Sequence, residues 1–450
     1  MITNNKILFT FLLIALINSC TSKRTTTIID TSQNKVIAKD TIEFYKEEAI
    51  RYDNYIYNEN IKSVFIHKKG VELAEPMIVL NTNESLILRF DELDADFNTY
   101  QYKFIHCNAN WEADNLNELD YIDGFNELYI DYYKNSFNTS QAYVHYMIEF
   151  PNDDVKLIKS GNYIIIIYPE DNPDDVIITQ KFYVAEQIIN PEINVKYPSD
   201  IDQKYYRQEV DFSFLYNPQN IINPYSNIKV YIQQNHREDN AISGLKPNFI
   251  RDNKLVYNYD DENVFDGANE FRYINMTNFS REIDRIQKIK FENGKYHLSL
   301  LKDIRRSFKR YLEIPDINGK YLIKTDNGND WNLEGDYAKV KFTLPYKNAL
   351  NKGDLYIYGQ LSSWKIDGNF QMKYNDSIKA YQKELYLKQG YYNYMYLYAN
   401  DTSSKADVRL IEGSHFDTEN DYLFKVYYSD PGKFYDRLLL YHVSNSRKGF

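Results

Sequence analysis

The chain has 450 residues, which corresponds to roughly two to four domains and is enough to bury a core without disulfides or metals. Its 43% hydrophobic and 26% charged residues are typical of a globular protein, and its 44 Tyr favour strands. With 53 Lys and Arg against 64 Asp and Glu, the formal net charge is −11, so nucleic acid is not an expected partner.

Residues 1–19 have the pattern of a signal peptide. Lys6 precedes an apolar run from Ile7 to Ile17, which at about 1.5 Å per residue is too short to cross a hydrocarbon core of about 30 Å. The run ends at I-N-S-C (17–20), which resembles a bacterial lipobox. That resemblance implies cleavage before Cys20 and acylation of Cys20, which is therefore the expected lipid attachment site.

Residues 20–50 predict a tether, because they contain few large apolar residues and show no sustained periodicity. The tether begins T-S-K-R after Cys20 and lacks the acidic residues that usually follow the lipidated Cys of surface-exported lipoproteins in Bacteroidota-like bacteria. We therefore expect the chain to be anchored at the periplasmic face of the outer membrane.

Residues 51–187 predict a first β-sandwich, because seven short apolar or alternating runs are separated by turn residues. The runs begin near residues 61, 76, 85, 100, 143, 162 and 175. Cys107 ends the fourth run and is expected to be a buried thiol rather than a reactive one. The connection 108–140 is too long for a hairpin and is a candidate contact surface.

Residues 188–330 predict a middle β module with strands at 209–216, 227–235 and 254–259 and short helices within 281–312. The second helical segment carries a cluster of five cations. A nucleic-acid or lipid-headgroup site is one interpretation of this cluster, but in an acidic protein such a cluster more often forms a solvated face or docks an acidic partner. The candidate docking patch comprises Lys302, Arg305, Arg306, Lys309 and Arg310.

Residues 331–450 predict a third β-sandwich with strands at 338–345, 354–361, 381–387, 391–398 and 422–428. The sequence G-Q-L-S-S-W (359–364), followed by L-K-Q-G-Y-Y-N-Y (387–394), resembles early-set immunoglobulin-like domains, which include glycan-binding modules. Trp364 and nearby Tyr residues then either form an exposed sugar platform or pack in the sandwich core, and the second is favoured because no second Trp accompanies Trp364.

The sequence contains no recognisable catalytic, metal or cofactor motif. The seven His residues show no ligand spacing, and no C-x-x-C pair exists. The acidic run D-E-L-D-A-D (91–96) lacks the oxygen spacing and Gly of a calcium loop and is expected to be a solvated acidic loop. A glycosidase that uses two carboxylates stays open as an alternative, although nothing in the sequence selects two of the 64 acidic residues. We therefore expect no catalytic residues, no metal, no cofactor and no small-molecule substrate.

Several segments together resemble the type IX secretion system plug protein family of Bacteroidota. The matching segments are F-I-H-C-N-A-N-W (104–111), L-D-Y-I-D-G-F (119–125), S-F-N-T-S-Q-A-Y-V-H-Y (136–146), K-S-G-N-Y (159–163), K-Q-G-Y-Y-N-Y (388–394), E-G-S-H-F-D-T-E-N-D-Y (412–422) and G-K-F-Y-D-R-L (432–438).

The resemblance implies a non-enzymatic component that closes the periplasmic mouth of the outer-membrane translocon barrel. The expected fold is all-β, with tandem immunoglobulin-like β-sandwich modules and a few short helices. The alternative function is that of an outer-membrane-anchored glycan-binding lipoprotein, which would share the anchor and the sandwiches.

Overall fold

The computed structural model describes residues 50–449, apart from residues 94, 95, 327, 329, 401 and 402. The expected signal peptide at 1–19, the expected tether up to residue 49 and the expected attachment site Cys20 lie outside the described residues. Among the described residues, no helix is long and apolar enough to cross a membrane.

The first part of the chain forms twelve strands and one short helix. They are β1 (Tyr55–Ile56), β2 (Ile61–Lys68), β3 (Met77–Val79), β4 (Leu86–Leu93), β5 (Tyr100–Cys107), α1 (Glu118–Tyr121), β6 (Ile122–Gly124), β7 (Leu128–Tyr129), β8 (Tyr132–Asn135), β9 (Tyr143–Phe150), β10 (Val155–Leu157), β11 (Gly161–Pro169) and β12 (Ile178–Ala185). The seven predicted strands are all present, and the shorter ones lie mostly within the long connection.

These strands form the first sandwich. One sheet has the order β2-β4-β9-β8, and the other has β1-β12-β11-β5-β7 with β3 parallel to β12. Phe104 and Phe150 contact each other across the core, with ring centroids 5.1 Å apart. The run Ile164–Ile167 is buried on both faces, because Ile165 and Ile167 point into this core while Ile164 and Ile166 are covered by Ile50 and neighbouring aromatic residues.

The next part of the chain adds β13 (Pro191–Lys196), β14 (Arg207–Leu215), α2 (Pro224–Asn227), β15 (Ile228–Gln234), β16 (Ile242–Ser243), β17 (Phe249–Arg251), β18 (Lys254–Tyr257) and β19 (Val264–Asp266). The remaining elements are β20 (Arg272–Asn275), β21 (Ile286–Glu292), β22 (Lys295–Leu300), β23 (Tyr321–Ile323), α3 (Trp331–Glu334), β24 (Tyr337–Pro345), β25 (Gly353–Tyr358), β26 (Lys373–Asn375), β27 (Ala380–Lys388), β28 (Gly390–Asn400), β29 (Asp421–Ser429) and β30 (Asp436–Asn445). Single turns of 3₁₀ helix lie at Ile201–Gln203, Gln360–Ser362, Gly368–Phe370 and Ser446–Gly449.

The second sandwich combines two distant stretches of chain. One of its sheets is β13-β14-β18-β17 with β19 beside β14, and the other is β16-β15-β29-β30. The third sandwich packs β20-β28-β23, with β25 beside β28, against β21-β22-β24-β27-β26. The third sandwich is therefore inserted between β19 and β29 of the second.

Two expectations differ from this arrangement. The strand 422–428 was expected in the third sandwich with the rest of residues 331–450, and this assignment is wrong. The strand is part of β29, which pairs with β15 of the second sandwich and places Tyr428 opposite Ile228. The helices expected within 281–312 are also wrong. Residues 286–300 form the hairpin β21–β22, whose turn residues Asn293 and Gly294 have φ of 52° and 74°, the left-handed backbone that an Asn-Gly hairpin turn requires.

Candidate functional site

The residues between Leu300 and Tyr321 form neither helix nor strand, and residues 301–312 of this connection are called the basic strap below. The five cations of the expected docking patch all lie in it, but they do not share one environment. The side chains of Lys302, Lys309 and Arg310 are exposed and make no ion pair with a described residue. The other two cations face the third sandwich.

Arg305 and Arg306 are used to fix the strap. The guanidinium group of Arg305 donates to the backbone oxygen of Leu410 at 3.1 and 3.3 Å. Arg306 donates through Nε to Glu412 Oε2 at 2.8 Å and through Nη2 to the backbone oxygen of Glu270 at 2.7 Å. The expected five-residue patch is therefore reduced to three free cations.

The strap is held on a buried network of charges. Glu412, which is fully buried, also accepts two hydrogen bonds from Arg272 at 2.9 and 3.0 Å. Asp303 of the strap is buried next to it and pairs with Arg272 at 2.8 Å. The two tyrosines Tyr394 and Tyr396 of β28 donate to the second oxygen of Asp303 at 2.7 and 2.6 Å. Each carboxylate thus has the partners that a buried charge needs.

No sequence pattern indicates this network, because its members lie on separate segments of the chain. Arg272 is on β20, Asp303 is on the strap, the tyrosines are on β28, and Glu412 lies before β29. The local signal is the density of Arg around residue 305, which by itself indicates a charged surface.

The long connection 108–140 is attached to the first sandwich along most of its length. β6 pairs with β10, β7 with β5, and β8 with β9, and the side chains of Tyr121, Ile122 and Ile130 are buried. Five large apolar side chains of the connection remain exposed: Leu119, Phe125, Tyr129, Tyr133 and Phe137. Six exposed acids accompany them: Glu112, Glu118, Asp120, Asp123, Glu127 and Asp131. The surface is therefore apolar and acidic.

Asp91 and Glu92, at the start of the acidic run 91–96, are not part of the solvated loop expected from the sequence. Asp91 is buried and is 2.6 Å from both His145 Nδ1 and Lys388 Nζ, and it accepts a hydrogen bond from Tyr337 at 2.7 Å. Glu92 is also buried and accepts from Tyr100 at 2.8 Å. Both residues belong to β4, so the start of the run is part of a strand, and its charged side chains have partners from other segments. Among the described residues, no group of His, Cys, Asp and Glu has the arrangement of a metal site.

Cys107 and Trp364 take the structural roles favoured from the sequence. Cys107 is fully buried, and burial raises the pKa of its thiol to about 12, which leaves it protonated and unreactive at neutral pH. Trp364 is half-buried, with its ring stacked on His236 at 4.5 Å between centroids and tilted against Tyr358 at 6.0 Å. Its face is therefore occupied by His236 rather than left open for a sugar.

The three sandwiches meet around a cavity of about 100 Å³ lined by charged side chains. Glu75 of the first sandwich lies at its centre. Its carboxylate is 2.8 Å from Lys320 Nζ of the third sandwich and 3.3 Å from His236 Nε2 of the second, and it accepts a hydrogen bond from Tyr441 at 3.1 Å. Burial opposes ionisation of Glu75, but the charges of His236 and Lys320 outweigh it and hold its pKa well below the ordinary value.

Comparisons with known proteins agree with this architecture. Residues 61–186 match the family model described as the type 9 secretion system plug protein first domain, a range that covers the first sandwich from β2 onward. No curated protein matches the chain. A crystal structure of a hypothetical protein from Parabacteroides merdae has 34% sequence identity and a TM-score of 0.85, covering 88% of this chain and all of that one.

The family match covers the segments from F-I-H-C-N-A-N-W (104–111) to K-S-G-N-Y (159–163), on which the sequence resemblance was partly based. It gives the chain a role in type IX secretion and an association with components of that system in the outer membrane and periplasm. The chain belongs to the type IX secretion system plug protein family.

Proposed function

We propose that the chain is a non-enzymatic plug that closes the periplasmic side of the type IX secretion translocon barrel in the outer membrane. The largest transmembrane barrels have up to about 36 strands, and such a lumen needs a bulky folded body to exclude solutes. Three sandwiches joined by buried charges at Glu75 and Asp91 form such a body.

The observation that carries this proposal is the connection 108–140 on the domain that matches the family model. Its exposed Leu119 and Phe125 lie next to buried anchors such as Tyr121, so the apolar surface is presented in a fixed shape. Exposed apolar patches of this kind mark contact surfaces. We assign this connection as the element that enters or covers the barrel mouth.

Docking also involves the free cations Lys302, Lys309 and Arg310, which we propose to face acidic residues of the barrel. Arg305 and Arg306 do not take part, because their side chains are bonded to Leu410 and Glu412. Reversing all five charges would therefore disturb the fold as well as the docking surface, whereas reversing the three free ones leaves the buried network intact.

We further propose that Cys20 is acylated and holds the chain at the periplasmic face of the outer membrane. In cells grown with radiolabelled palmitate, the wild-type chain should carry label and Cys20→Ser should not, and the variant should be released from the membrane. The wild-type chain should resist protease added to intact cells. Label on the variant would contradict the anchor, and digestion at the cell surface would contradict the periplasmic face.

The test of the plug itself is outer-membrane permeability. A strain that lacks the chain but retains the translocon should take up vancomycin-sized solutes faster than its parent. Complementation with the double variant Leu119→Ser, Phe125→Ser should leave part of the leak, because both side chains are exposed and the fold does not need them. Complementation with Phe249→Ser, an equally exposed position on β17, should restore the barrier. Equal uptake by the deletion strain and its parent would reject the plug.

The glycan-binding alternative gains no support from the arrangement of Trp364. It requires an open aromatic platform, whereas the Trp364 ring is stacked on His236. That alternative predicts normal permeability in the deletion strain and slower growth on one polysaccharide.

A further inference from the structure

The basic strap exposes apolar side chains between its cations. The side chains of Leu301, Ile304, Phe308 and Leu312 are 45%, 52%, 74% and 69% exposed. Burying these four large apolar groups against a partner would remove apolar surface from water and is therefore favourable. Their presence on one short segment marks a surface that is buried in a complex.

The strap is fixed in place, because some of its side chains bind buried groups of the protein. Asp303 is buried against Arg272, and Arg306 pairs with the buried carboxylate of Glu412. The backbone is fixed as well: Asp303 N donates to Thr343 O at 2.8 Å, and Arg306 N donates to Ile411 O at 2.7 Å. These buried ion pairs and backbone hydrogen bonds together hold the exposed strap in one shape.

Phe308 is oriented by its neighbour. The guanidinium carbon of Arg305 lies 5.4 Å from the centroid of the Phe308 ring and 5.0 Å from that of Tyr346 on the adjoining loop. Arg305 is in turn bonded to Leu410, so the cation on which Phe308 rests is itself fixed. Little conformational entropy then remains to be lost when Phe308 is buried by a partner.

We propose that the strap is the anchoring surface for a protein partner that presents an apolar cleft with carboxylates at its rim. Phe308 and Leu312 enter the cleft, while Lys302, Lys309 and Arg310 face the carboxylates. The single carboxylate within the strap, Asp303, is buried, so the exposed surface is positive and fits an acidic partner although the whole chain is acidic. This inference rests on the proposed function in taking the translocon barrel as the partner.

The exposed cations and the exposed apolar side chains of the strap have separable roles in binding. Rim charges mainly steer association and make it depend on salt, whereas buried aromatic anchors slow dissociation. A protein rather than a lipid surface is favoured, because a fluid bilayer adapts to any arrangement of apolar groups and gains nothing from a strap held by two buried carboxylates.

Binding of the purified barrel to the chain produced from Cys20 onward, without its leader and therefore without acyl chains, tests the inference. Phe308→Ala should weaken binding by about 30-fold, mainly through faster dissociation, with little change in salt dependence. Lys309→Glu combined with Arg310→Glu should slow association and reduce the dependence of its rate on salt. Phe434→Ala is the matched control, since Phe434 is 77% exposed and lies outside the strap, and it should bind like the wild type.

Each contrary result has a distinct meaning. Wild-type affinity in Phe308→Ala would overturn the anchoring role of the strap, while a leaking deletion strain would leave the plug function standing. Conversely, an intact barrier in the deletion strain, together with a 30-fold loss in Phe308→Ala, would reject the plug and keep the strap as a barrel-binding surface. Co-sedimentation of the unacylated chain with phosphatidylglycerol-containing vesicles, lost in Phe308→Ala and kept in Phe434→Ala, would assign the strap to lipid and overturn the protein partner.

Discussion

Two carboxylates have pKa values that move in opposite directions: Glu412, which binds Arg306 near the start of the connection 301–320, and Asp316, which lies near the end of that connection. Burial opposes ionisation of Glu412, but Arg272 and Arg306 outweigh it and lower its pKa to about 2. Burial raises the pKa of Asp316 to about 7, because the hydrogen bonds that its carboxylate accepts from the backbone N–H groups of Phe271 and Asn318 do not offset the loss of solvation. One carboxylate is thus matched to cations, and the other is not.

Removing the charge of Glu412 should be costly. Glu412→Gln leaves Arg272 and Arg306 without their counter-charge in a buried site, and we expect the free energy of unfolding to fall by about 3 kcal/mol in urea titrations at neutral pH. The matched control is Glu292→Gln, whose pair with Lys290 is exposed to solvent, so the free energy of unfolding should hardly change. Equal effects of the two substitutions would contradict the role of the buried network.

Asp316 should make stability depend on pH with a definite sign. Its pKa is raised on folding, so the folded chain binds the proton more tightly, and the contribution of Asp316 is complete below about pH 4 and lost as the pH rises through about 7. In urea titrations Asp316→Asn should therefore lose less stability than the wild type between pH 5 and pH 8. A pH-independent cost is added, because the amide nitrogen cannot accept the hydrogen bond that one of the two backbone N–H groups donates to Asp316. A variant that follows the wild-type pH profile would contradict the shift.

At the scale of elements, the segments that identify the family lie where elements pack against one another. Ala109 N of the segment 104–111 donates to Asp436 of the segment 432–438 at 3.0 Å, and the rings of His106 and Tyr435 are 5.7 Å apart. Gln141 N of the segment 136–146 donates to Asp336 at 3.1 Å. These polar and aromatic residues therefore join sandwiches, a structural role that requires no catalytic motif.

Gly161 on β11 allows the close contact of that strand with the ring of His106. Its φ is +151°, and a Cβ there would lie 2.4 Å from His106 Nε2, so the side chain at this position must be absent for β11 to pass the His106 ring. We expect Gly161→Ala to lower the free energy of unfolding by about 2 kcal/mol or more. The control is Gly244→Ala, where φ is +79° but no atom lies within 4 Å, so only the backbone cost of about 1 kcal/mol applies. Equal losses at both positions would exclude the steric contact.

At the scale of the whole molecule, Glu75 joins all three sandwiches. Glu75→Gln removes the charge that Lys320 and His236 share, and the three sandwiches should become less coupled. In calorimetry we expect a lower unfolding midpoint and a broader or split transition. Glu149→Gln, which affects an outer ion pair of the first sandwich with Lys69, should leave the transition unchanged. A Glu75→Gln chain that unfolds like the wild type would show that apolar packing alone holds the sandwiches together.

The sequence by itself determined the class of fold and most of the strands of the first sandwich. Alternation in Tyr100–Cys107 and the unbroken run Ile164–Ile167 are local patterns, and local patterns specify which face of a strand is buried. The resemblance to the plug family rests on short sequence segments in a fixed order, and it too requires no tertiary information.

Only the tertiary structure determines which strands pair and which charged side chains meet. β29 pairs with β15 across nearly two hundred residues, and Arg306 points inward because Glu412, more than a hundred residues later, is buried beneath it. The residues 302–310 showed a dense set of cations, but their sequence does not say which cation has a buried counter-charge. Burial of a charge depends on atoms contributed by distant segments, so the division of the strap into buried anchors and exposed contacts arises only when the chain is folded.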